Sequence, residues 1–392
     1  MINALTAYTF EMDDVDAAVS EILEQLDLRK NLLKNAVGLL FCYIDFIGSG
    51  VVKALSDRLP FDVIGCSTSG ALVRGEMDEL ILSLLVLTSD DVEFSTGASE
   101  PLLGQVETSV RNMYRQATAP LTGKPSLAIA LQPMLDHEGI GGDVIADALN
   151  RASEGVPLFG SIGLHLVGNE FRFSKTVHNG ESYGDRVVVL LLSGPVSPRF
   201  FLGTIMEKKN FTQKAAITGA EGNRLLSINN MPAVEYVKKI GFSGIDATLY
   251  HAVPFLIDSH NGLEPQTFIS SDIAPDGILI MSGTLPSSGT LMVGAHASDD
   301  VLATAKKLVD SVKETQKENP DRKTLLIFSC ASRRTVLYDS RAEMNLIRRE
   351  LEGSGVSYLF TYSGGEFCPW NDPKSGKEIN RFHNFVVIGC LL

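Results

Sequence analysis

A chain of 392 residues corresponds to two or three domains at about 150 residues each. With 44% hydrophobic and 21% charged residues, its composition is that of a folded globular protein, which excludes extended disorder and a bilayer-embedded chain. Its 47 acidic against 34 basic residues leave a formal charge of −13, the wrong sign for a phosphate backbone, so nucleic acid is not an expected partner.

In chain order, Met1 to Asp14 has neither a basic region nor an apolar core of the kind a secretory signal carries, which predicts a cytoplasmic location. The longest apolar runs, Leu80 to Leu87 and Val187 to Leu192, are strand-sized, so no membrane insertion is expected. Val15, Ala18, Val19, Ile22, Leu23 and Leu26 fall on one helical face behind Asp13-Asp14, giving an amino-terminal helical segment over residues 1–35. A pattern of strand, helix, strand, glycine-rich turn and strand then occurs three times.

The first copy runs from Val37–Ile44 through a helix at Val51–Leu59 to Val63-Ile64, the turn Gly65-Cys66-Ser67-Thr68-Ser69-Gly70 and a strand at Ile81–Leu87. The second uses Leu127–Leu131, a helix with Val144, Ile145, Ala148 and Leu149 on one face, Leu158-Phe159, the turn Gly160-Ser161-Ile162-Gly163 and Val187–Leu192. The third uses Leu325–Phe328, a helix opening with the capping-box spacing of Ser340 and Glu343 and closing near Gly353, Tyr358–Thr361, the turn Ser363-Gly364-Gly365-Glu366 and Phe385–Ile388. Strand, helix and strand imply a right-handed parallel crossover, with the last strand antiparallel. The region between the second and third copies reads as short strands and one helix, including Arg224–Ile228 and Val234–Ile240. A further helix over Asp299–Thr315 takes Ser298 as its cap. The expected fold is α/β, with two domains of mixed parallel and antiparallel sheets flanked by helices, and a boundary near residues 195–215.

Glycine turns at the carboxyl ends of strands can aim backbone N–H groups at a carboxylate or phosphate, although glycine equally serves tight turns. Neither a dinucleotide fingerprint nor a P-loop is present at them, and no cofactor is expected. Five scattered cysteines without a C-x-x-C pair indicate neither a disulfide framework nor a zinc cage, and Asp136-His137-Glu138 lacks the second cluster a metal site needs. Cys330 precedes Arg333 and Arg334, whose charge favours a thiolate, and His383 is the available base, so a cysteine hydrolase or transferase is one reading; a small buried thiol is the plainer one. Arg333 and Glu366 lie just beyond strands of one unit. A guanidinium taking a carboxylate and a glutamate taking an ammonium would suit an amino acid, the alternative being a structural ion pair between them.

The segments Val63–Gly70, Leu158–Gly163, Ala220-Glu221-Gly222-Asn223, Met231-Pro232-Ala233, Phe328–Arg333, Gly365-Glu366 and His383-Asn384 together resemble FIST (F-box and intracellular signal transduction) proteins. The resemblance runs from about residue 36 to the end. It implies a FIST amino-terminal domain over 36–200, a FIST carboxyl-terminal domain over 201–392, and a stand-alone bacterial sensory protein. It departs from the family pattern in Gly160-Ser161, in Val386 and in the additional Gly364. The implied function is non-enzymatic binding of a small ligand, an amino acid or a related compound, with output through an unidentified signalling protein. Carried onto matching positions, the resemblance implies a pocket of Cys330, Arg333, Gly365, Glu366, His383 and Asn384, with Gly65, Cys66, Ser67 and Thr68 contributed by the first domain. A protein-interaction scaffold is the remaining alternative.

Overall fold

The computed structural model describes residues 2–167, 170–171, 173–205, 211–242, 250–337 and 339–392. The first unit comprises β1 (Asn3–Thr9), α1 (Val15–Leu26), α2 (Leu28–Asn31), β2 (Asn35–Cys42), α3 (Asp45–Gly48), α4 (Val51–Arg58), β3 (Val63–Ser67), the hairpin β4 (Ala71–Val73) and β5 (Glu76–Asp78), and β6 (Leu82–Ser89). The second has β7 (Glu93–Ala98), α5 (Val106–Thr118), β8 (Pro125–Gln132), α6 (Gly142–Ser153), β9 (Leu158–Ile162), the short pair β10 (Leu166–Val167) and β11 (Glu170–Phe171), the hairpin β12 (Thr176–His178) and β13 (Glu181–Tyr183), and β14 (Val188–Ser193).

The third opens with β15 (Arg199–Gly203) and then departs from the other two by an inserted layer. That layer contains β16 (Ala215–Glu221), β17 (Arg224–Ile228), β18 (Met231–Pro232), α7 (Ala233–Lys239), β19 (Phe255–Asp258), β20 (Gln266–Phe268), β21 (Ser270–Ile273), β22 (Leu279–Met281) and β23 (Gly289–Val293). The unit resumes with α8 (Ser298–Glu318), β24 (Thr324–Cys330), α9 (Ala331–Thr335), α10 (Ala342–Leu351), β25 (Ser357–Ser363), the hairpin β26 (Glu366–Asn371) and β27 (Glu378–His383), and β28 (Val387–Leu391).

Three six-stranded sheets share one topology: β1-β6-β2-β3-β12-β13, β7-β14-β8-β9-β26-β27 and β15-β28-β24-β25-β4-β5. In each, one parallel pair (β2 with β3, β8 with β9, β24 with β25) is flanked by antiparallel strands. The hairpins are exchanged cyclically. The first unit lends β4–β5 to the third, the second lends β12–β13 to the first, and the third lends β26–β27 to the second. Hydrogen bonding therefore crosses residue 200 in both directions, so the expected halves 36–200 and 201–392 interlock.

The helix-free faces of the sheets meet in one apolar core that includes Phe41, Phe159, Phe328, Leu131, Leu190 and Ile388. Phe159 stacks on Phe328 and Phe41 tilts against it. The outer faces are covered by α5 and α6, by α1 and α4, and by α8 and α10. Among the described residues no helix is long and apolar enough to cross a membrane.

Local chemistry explains several departures from expectation. Residues 1–35 are not purely helical, because β1 completes an edge beside β6. The α8 helix takes Ala297 as its cap and runs to Glu318; Asp300 Oδ2 accepts from the Ala297 N–H, while Ser298 Oγ donates to Val336 O. The Ser340–Glu343 capping box does not form. α10 begins at Ala342, and Glu343 is buried against Arg333.

Candidate functional site

The carboxyl ends of the three parallel pairs converge at one end of the core, where apolar packing gives way to a polar layer. Gly65 and Gly160 are there for packing: a Cβ would lie 2.1 Å from Leu40 O at the first and 1.9 Å from Ala130 O at the second. The turn amides are already used. Ser67 N–H donates to Lys175 O, Thr68 N–H to Cys42 O, Gly163 N–H to Gln132 O and Gly364 N–H to Ile162 O. These donors serve the main chain and are not turned toward a ligand. The Cys66 thiol, pushed up to about 12 by burial, faces the Ser161 hydroxyl. Thr68 Oγ1 donates to Tyr362 O and accepts from Thr361 Oγ1, tying the first unit to the third.

Arg333 is fully buried and all three of its guanidinium nitrogens are bonded. Nε donates to Ser329 Oγ and Glu343 Oε1, Nη1 to Thr304 Oγ1, and Nη2 to Val301 O and Glu343 Oε1, the last at 2.6 Å. Its ion-pair partner is Glu343, not Glu366. With all three guanidinium nitrogens bonded to protein and the side chain wholly buried, Arg333 is not presented to a ligand carboxylate.

Glu366 is also fully buried, and burial pushes its carboxyl well above the usual range. Oε1 accepts from Ser363 Oγ at 2.6 Å; Oε2 has no partner among the described residues. Close by, the Cys330 thiol receives the backbone N–H groups of Phe385 and Ser332, yet burial and the Glu366 charge hold it up at about 12. His383 Nε2 lies 3.2 Å from Cys368 O. A carbonyl only accepts, so Nε2 carries the proton. Burial, aided by the Arg381 charge, lowers the imidazole to about 3, which makes it neutral and leaves Nδ1 a bare acceptor. Among the described residues no hydrogen bond joins Cys330 to His383. The nucleophile–base geometry of a cysteine hydrolase is therefore not formed, and a thiol at about 12 is a poor nucleophile.

The open space lies one strand further out. A cleft of about 270 Å³ runs along β27 between the inserted layer and α6, and is lined by Asp143, Asp147, Glu264, Gln266, Phe268 and Arg381 among others. A smaller cell of about 30 Å³ adjoins it, lined by Trp370, His383, Asn384 and Thr267, with Gln266 and Arg381 lining both spaces. Arg381 Nε donates to Gln266 Oε1 at 3.1 Å and Nη2 to Glu264 O at 3.0 Å, while its guanidinium lies 5.1 Å from the Trp370 ring centroid. Nη1 has no partner among the described residues. Burial lowers Arg381 to about 10, which keeps it charged at neutral pH. Across the cleft Asp147 is raised by burial and the neighbouring Asp143. Asp143 Oδ2 accepts from Thr284 N–H, tying the first turn of α6 to the inserted layer.

Of the expected residues, the structure gathers Cys330, Glu366, Gly365, His383 and Asn384 at the polar layer and keeps Gly65, Cys66, Ser67 and Thr68 in the body. Arg381, Trp370, Gln266, Asp143, Asp147 and Glu264 were not anticipated. Arg381 is two residues before His383, and Trp370 is the sole tryptophan, the only signals available in the sequence. A hollow of about 750 Å³ is a shallow groove between the β4–β5 turn and α10. Arg74 and Arg348 there are bonded to main-chain oxygens of Thr6, Gln25 and Gly75, so its cations are largely used.

A family model described as the FIST N domain matches residues 36–231. No curated protein matches the chain. Among solved structures, cyanuric acid hydrolase from A. caulinodans aligns at 9% identity with a TM-score of 0.36, covering 100% of this chain and 99% of that one. PurLQS from Thermotoga maritima aligns at 11% identity with a TM-score of 0.19, covering 76% and 72%. Both TM-scores are too low to imply a common fold.

Proposed function

The chain belongs to the FIST family of sensory signal-transduction domains, and from that premise we propose that it is a non-enzymatic sensor that binds an amino acid in the cleft along β27. The observation that carries this reading is the presence, around about 270 Å³, of a half-buried guanidinium with an unused Nη1 and of the carboxylates Asp143, Asp147 and Glu264. A zwitterion has the matching charges. Arg381 takes the α-carboxylate and the acidic wall takes the ammonium group. Phe268, Ile379 and Phe382 supply apolar surface for the remainder.

One wall of this cleft, including Glu264, Gln266 and Phe268, belongs to the inserted layer and the other, with Asp143, Asp147 and Arg381, to the body, so a ligand bridging Glu264 and Asp143 favours one spacing of the inserted layer over α6. That difference in affinity between spacings is what a signalling partner can read. Arg333, paired with Glu343, has a structural place in this scheme; His383 and Asn384 form the cleft's inner end.

A thermal-shift series with the full chain tests the proposal. Millimolar amino acids should raise the unfolding midpoint with concentration, by mass action, while the matching amines and N-acetylated amino acids should not. Equal shifts with amines lacking a carboxylate would remove Arg381 from recognition.

A further inference from the structure

At the inner end of the cleft Asn384 is 1% exposed, yet neither Oδ1 nor Nδ2 has a hydrogen-bond partner among the described residues. Native structures rarely leave a buried primary amide unpaired, because the lost solvation is not returned. Asn384 is also held in place. Phe385 beside it adopts φ 60°, a left-handed backbone that an aromatic residue takes only under constraint. The same corner is pinned by the Cys330 N–H donating to Val386 O and the Phe385 N–H facing the Cys330 thiol.

Asn384 lines the cell of about 30 Å³, room for a few water-sized atoms at about 10–15 Å³ each, so the cell suits a single polar end group and not a whole metabolite. The buried polar group lining it without a hydrogen-bond partner among the described residues is the Asn384 amide, which offers donors and an acceptor; His383 Nδ1 adds an acceptor, and Arg381 Nη1 a donor where the cell opens into the cleft. A carboxylate end group would present no donor to Asn384 Oδ1 or His383 Nδ1, and an ammonium no acceptor to Asn384 Nδ2. A planar uncharged group carrying both N–H and C=O meets all of them.

We infer that the inner cell reads a terminal carboxamide, and that the ligand is an amino acid of the glutamine and asparagine class. This rests on the cleft being an amino-acid site. Arg381 and Gln266, which line both spaces, hold the α-carboxylate at the threshold, while the side chain enters the cell and its amide pairs edge to edge with Asn384.

Calorimetric titration of the full chain with L-glutamine, L-asparagine, L-glutamate and L-leucine separates the two ideas. At least one of the amides should bind about tenfold or more tighter than glutamate or leucine. Asn384→Ala should bring the amides down to the level of leucine. Because that variant alters a buried corner, the wild-type comparison stands by itself. Glutamate or leucine binding as tightly as both amides would overturn the carboxamide inference and leave the amino-acid reading intact. No binding by any of the four would overturn both.

Discussion

Two arginines of the third unit, the fully buried Arg333 and the half-buried Arg381, do opposite work. Arg333 spends its guanidinium inside the fold: Glu343, Ser329, Thr304 and Val301 O accept from all three of its nitrogens. Arg381 is oriented by Gln266, Glu264 O and the Trp370 ring, and keeps Nη1 free over the cleft. A buried guanidinium becomes a binding group when the protein fixes its direction without saturating its donors. A place just beyond a strand end, which drew attention to Arg333, does not make that distinction.

The largest effect expected from this contrast is on stability. Arg333→Ala leaves Glu343 as a lone buried carboxylate and should cost about 3–5 kcal/mol in chemical denaturation. The double variant Arg333→Met/Glu343→Leu should recover most of that loss, since no charge is then stranded. A loss below roughly 1 kcal/mol for Arg333→Ala would mean that the pair is not the structural tie described above.

Arg381→Ala should behave in reverse. Amino-acid affinity should fall by roughly 1.5–3 kcal/mol, the worth of a charged hydrogen bond, while stability changes by only about 1 kcal/mol. Calorimetry and denaturation on the same sample would show whether the two losses separate in this way.

A buried carboxyl where the inserted layer meets the body sharpens the rule for acids. Asp136 is raised to about 8 by burial, with the Asp143 charge adding to it and the Ser271 hydroxyl opposing. Because its folded value exceeds the unfolded one of about 3.9, it favours folding at acid pH, and that contribution is lost as pH rises from about 4 through 8. Asp136→Asn should therefore raise the unfolding midpoint at pH 8 and leave it nearly unchanged at pH 4. The same small shift at both pH values would contradict a protonated Asp136.

The smallest expected effect concerns His383. Its folded value of about 3 lies below the unfolded value of about 6.5, so the unfolded chain takes up a proton that the fold refuses, and stability falls as pH drops from 6.5 toward 3. His251 and His296, lowered by burial to about 4, act in the same direction. His383→Gln should flatten part of that slope in melts between pH 7 and 4, and an unaltered slope would mean that His383 is not held neutral.

Much of the fold was legible because periodicity reports burial. The α1 face, the three parallel crossovers and the antiparallel closing strands all stand in the structure where spacing placed them. The exchanged hairpins were not legible. β4, β5, β12 and β13 have three residues each, too few for alternation to register, and their partners lie in another unit. Glu343 was read as a helix-capping residue because spacing cannot distinguish a glutamate at a helix start from one paired in the interior. Within the site, His383 and Asn384 were identified and Arg381 was not: the cleft exists only because the inserted layer folds back over β27, a long-range contact that local patterning does not encode.

The sole tryptophan, Trp370, stacks with Arg381 and lines the inner cell, so its emission reports on this site alone. Titrating the full chain with the amino acids that raise its melting midpoint, while following Trp370 fluorescence, tests the central claim most directly. A saturable change in emission with the same midpoint as the calorimetric curve, absent in Arg381→Ala, is the predicted result. Stabilisation by an amino acid with no change in Trp370 emission would place the ligand elsewhere and contradict the assignment of the cleft.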